Sequence, residues 1–103
     1  MRPSAGASTI RARLTALRSE VLAISKRHGA SNLRLFGSVA TGHETTGSDL
    51  DLLIELDDKQ TLLGLISLRQ ELESLLDCTV DITEVQTLHP LIRSDVLKQA
   101  VVL

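Results

Sequence analysis

The sequence predicts an α/β domain. Two stretches, 9–28 and 61–76, repeat their apolar residues at helical spacing, and three short runs between and after them have the length and apolar content of strands. The middle run, Asp49 to Leu56, alternates strictly between polar and apolar residues over most of its length. At 103 residues and 43% apolar, the chain holds enough for one core and no second lobe. A single domain over 8–103 is expected, preceded by a flexible N-terminus at 1–7, where Pro and Gly occur without periodicity.

The first helix follows from Ile10, Leu14, Leu17, Val21 and Ile24, with Ser8 or Thr9 as its N-cap and His28-Gly29 as its close. Asn32 to Phe36 reads as the first strand and delivers the pair Gly37-Ser38 at its C-terminal end. Residues 38–48 are polar and glycine-containing, which suits a short helical turn and then a loop. Asp49 to Leu56 is the second strand. Thr61 to Leu76 is the second long helix, with Leu62, Leu65, Ile66, Leu72 and Leu76 on one side and Leu63, Leu68 and Leu75 widening the stripe. Such a helix packs deeply, or meets a partner with its surplus leucines. Thr79 to Thr83 is a short third strand. His89-Pro90 opens a last helix to about Lys98, Pro standing at its first position. The apolar end, Ala100 to Leu103, can add a strand or touch another chain.

Chemistry concentrates in the middle. Alternation places Asp49, Asp51, Leu53 and Glu55 on one face of the second strand and Leu50, Leu52, Ile54 and Leu56 on the other. The two aspartate Cα atoms then lie about 7 Å apart, near enough for their carboxylates to share a cation, and Mg²⁺ is the simplest occupant. No Lys or Arg falls between Arg34 and Lys59, whereas Glu44, Asp49, Asp51, Glu55, Asp57 and Asp58 all do. The backbone N–H groups of the Gly37-Ser38 turn, with a helix opening behind it, can cradle phosphate oxygens. Together these features suit a metal-complexed nucleoside triphosphate. In the third strand Val80 and Ile82 face the core, so Asp81 faces the other way, toward Asp49 and Asp51 if the strands are neighbours.

Several classes are excluded or weakened. A formal charge of −2 and a single aromatic residue, Phe36, argue against extended nucleic-acid binding. One cysteine, Cys78, excludes an internal disulfide and fits a reducing, cytoplasmic compartment. Arg11 and Arg13 interrupt any secretory apolar segment, and no run approaches the ~20 apolar residues of a membrane span. The carboxylates cluster with one another, away from any Ser-His pairing, and one cysteine with scattered histidines makes no zinc pattern. His43 lies in the loop of the motif, whereas His28 and His89 sit at helix ends. Arg34, Arg69 and Arg93 are each candidates to reach a triphosphate.

Gly37-Ser38, ten residues and then Asp49-Leu50-Asp51, within FGSVATGHETTGSDLDLLIEL, resembles the signature of the DNA polymerase beta-type nucleotidyltransferases. Over nearly the whole chain the pattern is most similar to the minimal nucleotidyltransferases, several of which are antitoxins paired with HEPN-domain toxins. The resemblance implies a small mixed sheet flanked by helices. It implies two Mg²⁺ ions held by Asp49, Asp51 and Asp81, with Glu84 as the fallback third acid, and a triphosphate gripped by Gly37 and Ser38. The implied reaction moves AMP from ATP to a hydroxyl, a tyrosine on a partner HEPN toxin within a hetero-oligomer. The chain itself has no Tyr. Two alternatives stand beside it: an antitoxin that neutralises by binding alone, and a small-molecule transferase of the aminoglycoside type. The chain departs from the family pattern at Thr41, a position where members of the resembled family often carry Arg, and this departure bears on nucleotide affinity.

Overall fold

The computed structural model describes residues 9–42 and 49–103. The expected flexible N-terminus at 1–7, the alternative cap Ser8, and His43 and Glu44 of the motif loop lie outside the described residues. The architecture is a four-stranded mixed sheet in the order β3-β2-β1-β4, with helices on one face.

The N-terminal helical stretch is two segments, α1 (Ile10–Ala16) and α2 (Arg18–Arg27), where one continuous helix was expected. Leu17 departs from helical geometry at φ −107°, ψ 17°, yet the backbone bonds Leu17 N–H to Arg13 O and Val21 N–H to Leu17 O carry on across it. The rod is therefore kinked rather than broken. Thr9 caps it, its hydroxyl accepting from Ala12 N–H at 3.0 Å. Ile10, Leu14, Val21 and Ser25 are its buried residues; Ile24, expected in the stripe, is only partly covered.

Strand β1 (Ala30–Phe36) starts two residues earlier than the sequence suggests. The register with β2 shifts between Ser31 and Arg34, and Asn32 sits at φ +52°. This bulge leaves two consecutive residues exposed and restores alternation beyond them, so Ala30, Leu33 and Leu35 are all buried. Short helix α3 (Gly37–Thr41) follows directly, and β2 (Leu50–Leu56) runs antiparallel to β1. Leu50, Leu52 and Ile54 face the helices at no more than 1% exposure, as the alternation requires. Leu53, on the opposite face, is also buried, where the 3-10 turn Val85–Thr87 meets β2.

Helix α4 (Leu62–Leu76) is capped by Thr61, whose hydroxyl accepts from Gly64 N–H at 3.2 Å. Its buried stripe is Leu68, Leu72 and Leu76. Leu62, expected in the stripe, is 72% exposed, and Leu63 is 77% exposed. Only the C-terminal half of α4 packs deeply; its first turn carries the surplus leucines outward. Strand β3 (Val80–Glu84) runs parallel to β2 at one edge of the sheet. Helix α5 (Pro90–Gln99) has Pro at its first position and His89 as its cap, and β4 (Val101–Val102) pairs antiparallel with β1 at the other edge. The main core joins Leu33, Leu35, Leu50, Leu52, Ile54 and Val80 of the sheet to Leu14, Val21, Val39, Leu68, Leu72 and Leu76 of the helices. Asp51 and Asp81 are left on the other face.

Candidate active site

Burial of Leu50 and Leu52 against the helices forces Asp51 to the opposite face of β2. In the parallel pairing of β2 and β3, Leu50 stands beside Val80, Asp51 beside Asp81 and Leu52 beside Ile82. Neighbours on one rung of a sheet point the same way, with backbones about 4.8 Å apart. Asp51 and Asp81 therefore rise side by side. Glu84, the fallback third acid, is in register with Ile54 and so belongs to the opposite face. Asp49 is exposed and immediately precedes β2.

Two hydrogen bonds hold the start of β3 in register. Leu50 N–H donates to Thr79 O at 2.9 Å, and Val80 N–H donates to the Glu73 carboxylate of α4, also at 2.9 Å. Glu73 is a functional candidate that the sequence pattern did not single out. Among the leucines of α4 it looks like one more solvent-facing acid, and only its contact with the residue before Asp81 distinguishes it.

Asp51 has its carboxyl pKa raised above the ordinary 3.8, first by burial, then by the charge of Asp81 and that of Asp49. All three acids thus share one electrostatic neighbourhood, which a cation would relieve. An all-carboxylate donor set suits a hard ion such as Mg²⁺. Among the described residues, no three acid, imidazole or thiol groups make a ready-made metal cage.

The Gly-Ser turn lies against the same acid. Phe36, the last residue of β1, is the register partner of Asp51, and Gly37 follows at φ +74°. A Cβ on Gly37 would stand 2.4 Å from Asp51 Oδ2, so glycine is required both by the backbone conformation and by the carboxylate above it. Ser38 is half-buried in the first turn of α3. Arg11 of α1 braces this segment by donating to Val39 O at 3.3 Å. The Thr41 hydroxyl turns back onto the Gly37 and Ser38 carbonyls, each at 3.3 Å.

The remaining candidates separate clearly. His28 pairs with Glu71, and His89 Nδ1 accepts from Leu91 N–H at 3.1 Å, so both have structural partners at helix ends. Arg34 lies 3.7 Å from Glu55, and Arg93 donates to the carbonyls of Gln86 and Leu88. Arg69, on α4, lines a small cavity together with Asp81. A larger hollow along α5 holds none of the three acids.

The sequence profile of the nucleotidyltransferase domain matches residues 16–103. The chain belongs to the nucleotidyltransferase family. Among its relatives, the protein adenylyltransferase MntA of Thermococcus cleftensis is 33% identical over 88 residues, covering 85% of this chain and 86% of that one. A solved structure named as a candidate minimal nucleotidyltransferase superposes with a TM-score of 0.85 at 42% identity, over 95% of this chain and 100% of the other. The fold alone is shared with an MNT antitoxin solved in complex with a tri-AMPylated HEPN toxin of Shewanella oneidensis: TM-score 0.63, 19% identity, 85% of this chain and 69% of that one. The α/β fold and mixed sheet expected of a minimal nucleotidyltransferase are those observed.

Proposed function

We propose that this nucleotidyltransferase moves AMP from ATP to a hydroxyl group of a partner protein, a tyrosine of a HEPN-type toxin, and so acts as an antitoxin. The observation that carries the proposal is the shared rung of Asp51 and Asp81, with the Gly37 turn against Asp51. The name of the Thermococcus relative and the AMPylated toxin bound by the Shewanella antitoxin support the same chemistry. Tyrosine is absent from the chain, so a tyrosine acceptor must come from elsewhere.

In this reading Asp49, Asp51 and Asp81 hold two Mg²⁺ ions, which when bound supply positive charge to the entering and leaving oxygens. The backbone N–H groups at Gly37 and Ser38 hold the triphosphate tail so that the α-phosphorus faces the acceptor. The hydroxyl oxygen forms a bond to the α-phosphorus. The bond from that phosphorus to the oxygen bridging to the β-phosphate breaks, and pyrophosphate leaves with the electron pair. Asp81, on the same rung as Asp51, receives the hydroxyl proton. The single cysteine, Cys78, is the reason for proposing a reducing, cytoplasmic setting.

The test combines purified protein, a HEPN toxin from the same genome, Mg²⁺ and ATP labelled at the α-phosphate. Label on the toxin that is lost with Asp49→Asn plus Asp51→Asn is the expected result. A toxin that stays unlabelled with the wild-type protein refutes the proposal.

A further inference from the structure

Helix α3 has five residues, Gly37–Thr41, little more than one turn. A helix that short gains almost nothing from its own hydrogen bonds and leaves most of its end groups without intrahelical partners. Its direction, and with it the aim of the Gly37 and Ser38 N–H groups, is therefore set from outside. One anchor is Val39, whose side chain is fully buried in the core. The other is Arg11, 28 residues upstream, whose guanidinium donates to the carbonyl of that same residue at 3.3 Å. Helix α1 is itself fixed to present this side chain: Thr9 caps it, the Thr15 hydroxyl donates to Arg11 O at 2.9 Å, and Ile10 and Leu14 are buried.

Charge matters here as much as contact. No Lys or Arg occurs between Arg34 and Lys59, so the turn assigned to the triphosphate and the acids Asp49 and Asp51 have no cation in their own stretch of chain. Thr41 gives the end of α3 a neutral hydroxyl, turned back onto the Gly37 and Ser38 carbonyls. Arg11 brings a positive charge from another element to the carbonyl end of α3, where it reinforces a helix dipole whose positive end lies at Gly37 and Ser38. Five residues span about 7.5 Å, no more than the screening length of about 8 Å at physiological ionic strength. The charge is thus felt at the turn.

Resting on the nucleotide transfer proposed above, we propose that Arg11 is a positioning residue for that reaction: by holding the Val39 carbonyl and charging the far end of α3, it aims the Gly37-Ser38 turn at the triphosphate and sets the affinity for ATP. It acts on the nucleotide, through Val39, and not on the acceptor. Removing it weakens nucleotide binding and leaves the chemical step at saturating ATP nearly as fast.

Calorimetric titration of the full chain with AMP-PNP and Mg²⁺ tests this. Arg11→Ala and Arg11→Met, the second keeping the apolar stem, are expected to raise Kd about tenfold, the worth of one charge-assisted hydrogen bond. Arg11→Lys, which retains the charge and a donor, should stay within about threefold of wild type. Arg18→Ala removes the same charge from the neighbouring helix, where Arg18 donates to Leu103 O, and should bind like wild type. In the labelling assay with the HEPN toxin, Arg11→Ala should raise the KM for ATP by about the same tenfold while kcat stays within about twofold. Melting of each variant without nucleotide separates this from a merely structural brace, whose loss would lower the melting temperature and leave Kd unchanged. Unchanged Kd in Arg11→Ala and Arg11→Met overturns the proposal, as does an equal weakening by Arg18→Ala. A wild type that binds AMP-PNP with Mg²⁺ but labels no toxin refutes the transfer alone, whereas one that binds no AMP-PNP overturns both.

Discussion

Asp51 and Asp81 occupy one rung of two parallel strands, and neither can move away from the other without breaking the β2–β3 register. That register is maintained on the far face by Leu50, Leu52 and Val80, all buried to within 1%. The core therefore compels two like charges to stand together, and the consequences are measurable.

The first concerns pH. Burial, then Asp81, then Asp49 raise the Asp51 pKa above 3.8, so the folded protein binds this proton more tightly than the unfolded chain. Its contribution is most favourable below the unfolded value and is lost as pH rises through the raised folded value. Asp51→Asn is expected to melt at a higher temperature than metal-free wild type above that window, the difference shrinking as pH falls through it. Thermal denaturation of both proteins from acid to neutral pH checks the sign. The same variant should lose on the order of 100-fold or more in AMP transfer.

Mg²⁺ should reverse the penalty. At about 100 times its Kd, a ligand specific for the folded state adds about 2.7 kcal/mol. Melting temperature is expected to rise with Mg²⁺ in the wild type and to respond far less in Asp51→Asn or Asp81→Asn. A metal response equal in all three would exclude these carboxylates as the binding groups.

Gly37 and Gly42 offer a matched pair. Both have positive φ, +74° and +78°, but an added Cβ meets Asp51 Oδ2 at 2.4 Å in the first case and, among the described residues, nothing within 4 Å in the second. Gly42→Ala should cost only the backbone strain, about 1–2 kcal/mol. Gly37→Ala should cost more than that and displace the Asp51 carboxylate, lowering transfer as well as stability. Urea denaturation and labelling of both variants separate strain from displacement.

Glu73 is expected to matter beyond its apparent place on a helix surface. Glu73→Ala leaves the Val80 N–H without its carboxylate partner, a loss of about 1–3 kcal/mol for a buried group. Because Val80 precedes Asp81, transfer should fall by more than the loss of folded protein explains. Glu73→Gln, which keeps an acceptor oxygen, should recover most of both.

Local pattern made much of this molecule legible. The alternation of β2 told which side of the strand Asp51 would take, because a period of two leaves no choice once Leu50, Leu52 and Ile54 must be buried. The positions of Gly37, Thr61 and Pro90 were readable from conformational preference alone. Misreadings fell where tertiary contacts outweigh periodicity: the kink at Leu17, the bulge at Ser31 and Asn32, and the outward turn of Leu62 on a helix whose other leucines are buried.

What the residues determined unaided was the inventory: the elements, the candidate acids, the turn and the strand face that Asp51 would occupy. Only the folded chain decided that β3 lies parallel to β2 with position 81 opposite 51, that Glu84 goes to the other side, and that Glu73 and Arg69 reach the neighbourhood of Asp81. Side-chain period is a local property carried by the backbone, whereas strand register and helix placement are settled by how distant apolar surfaces pack against one another.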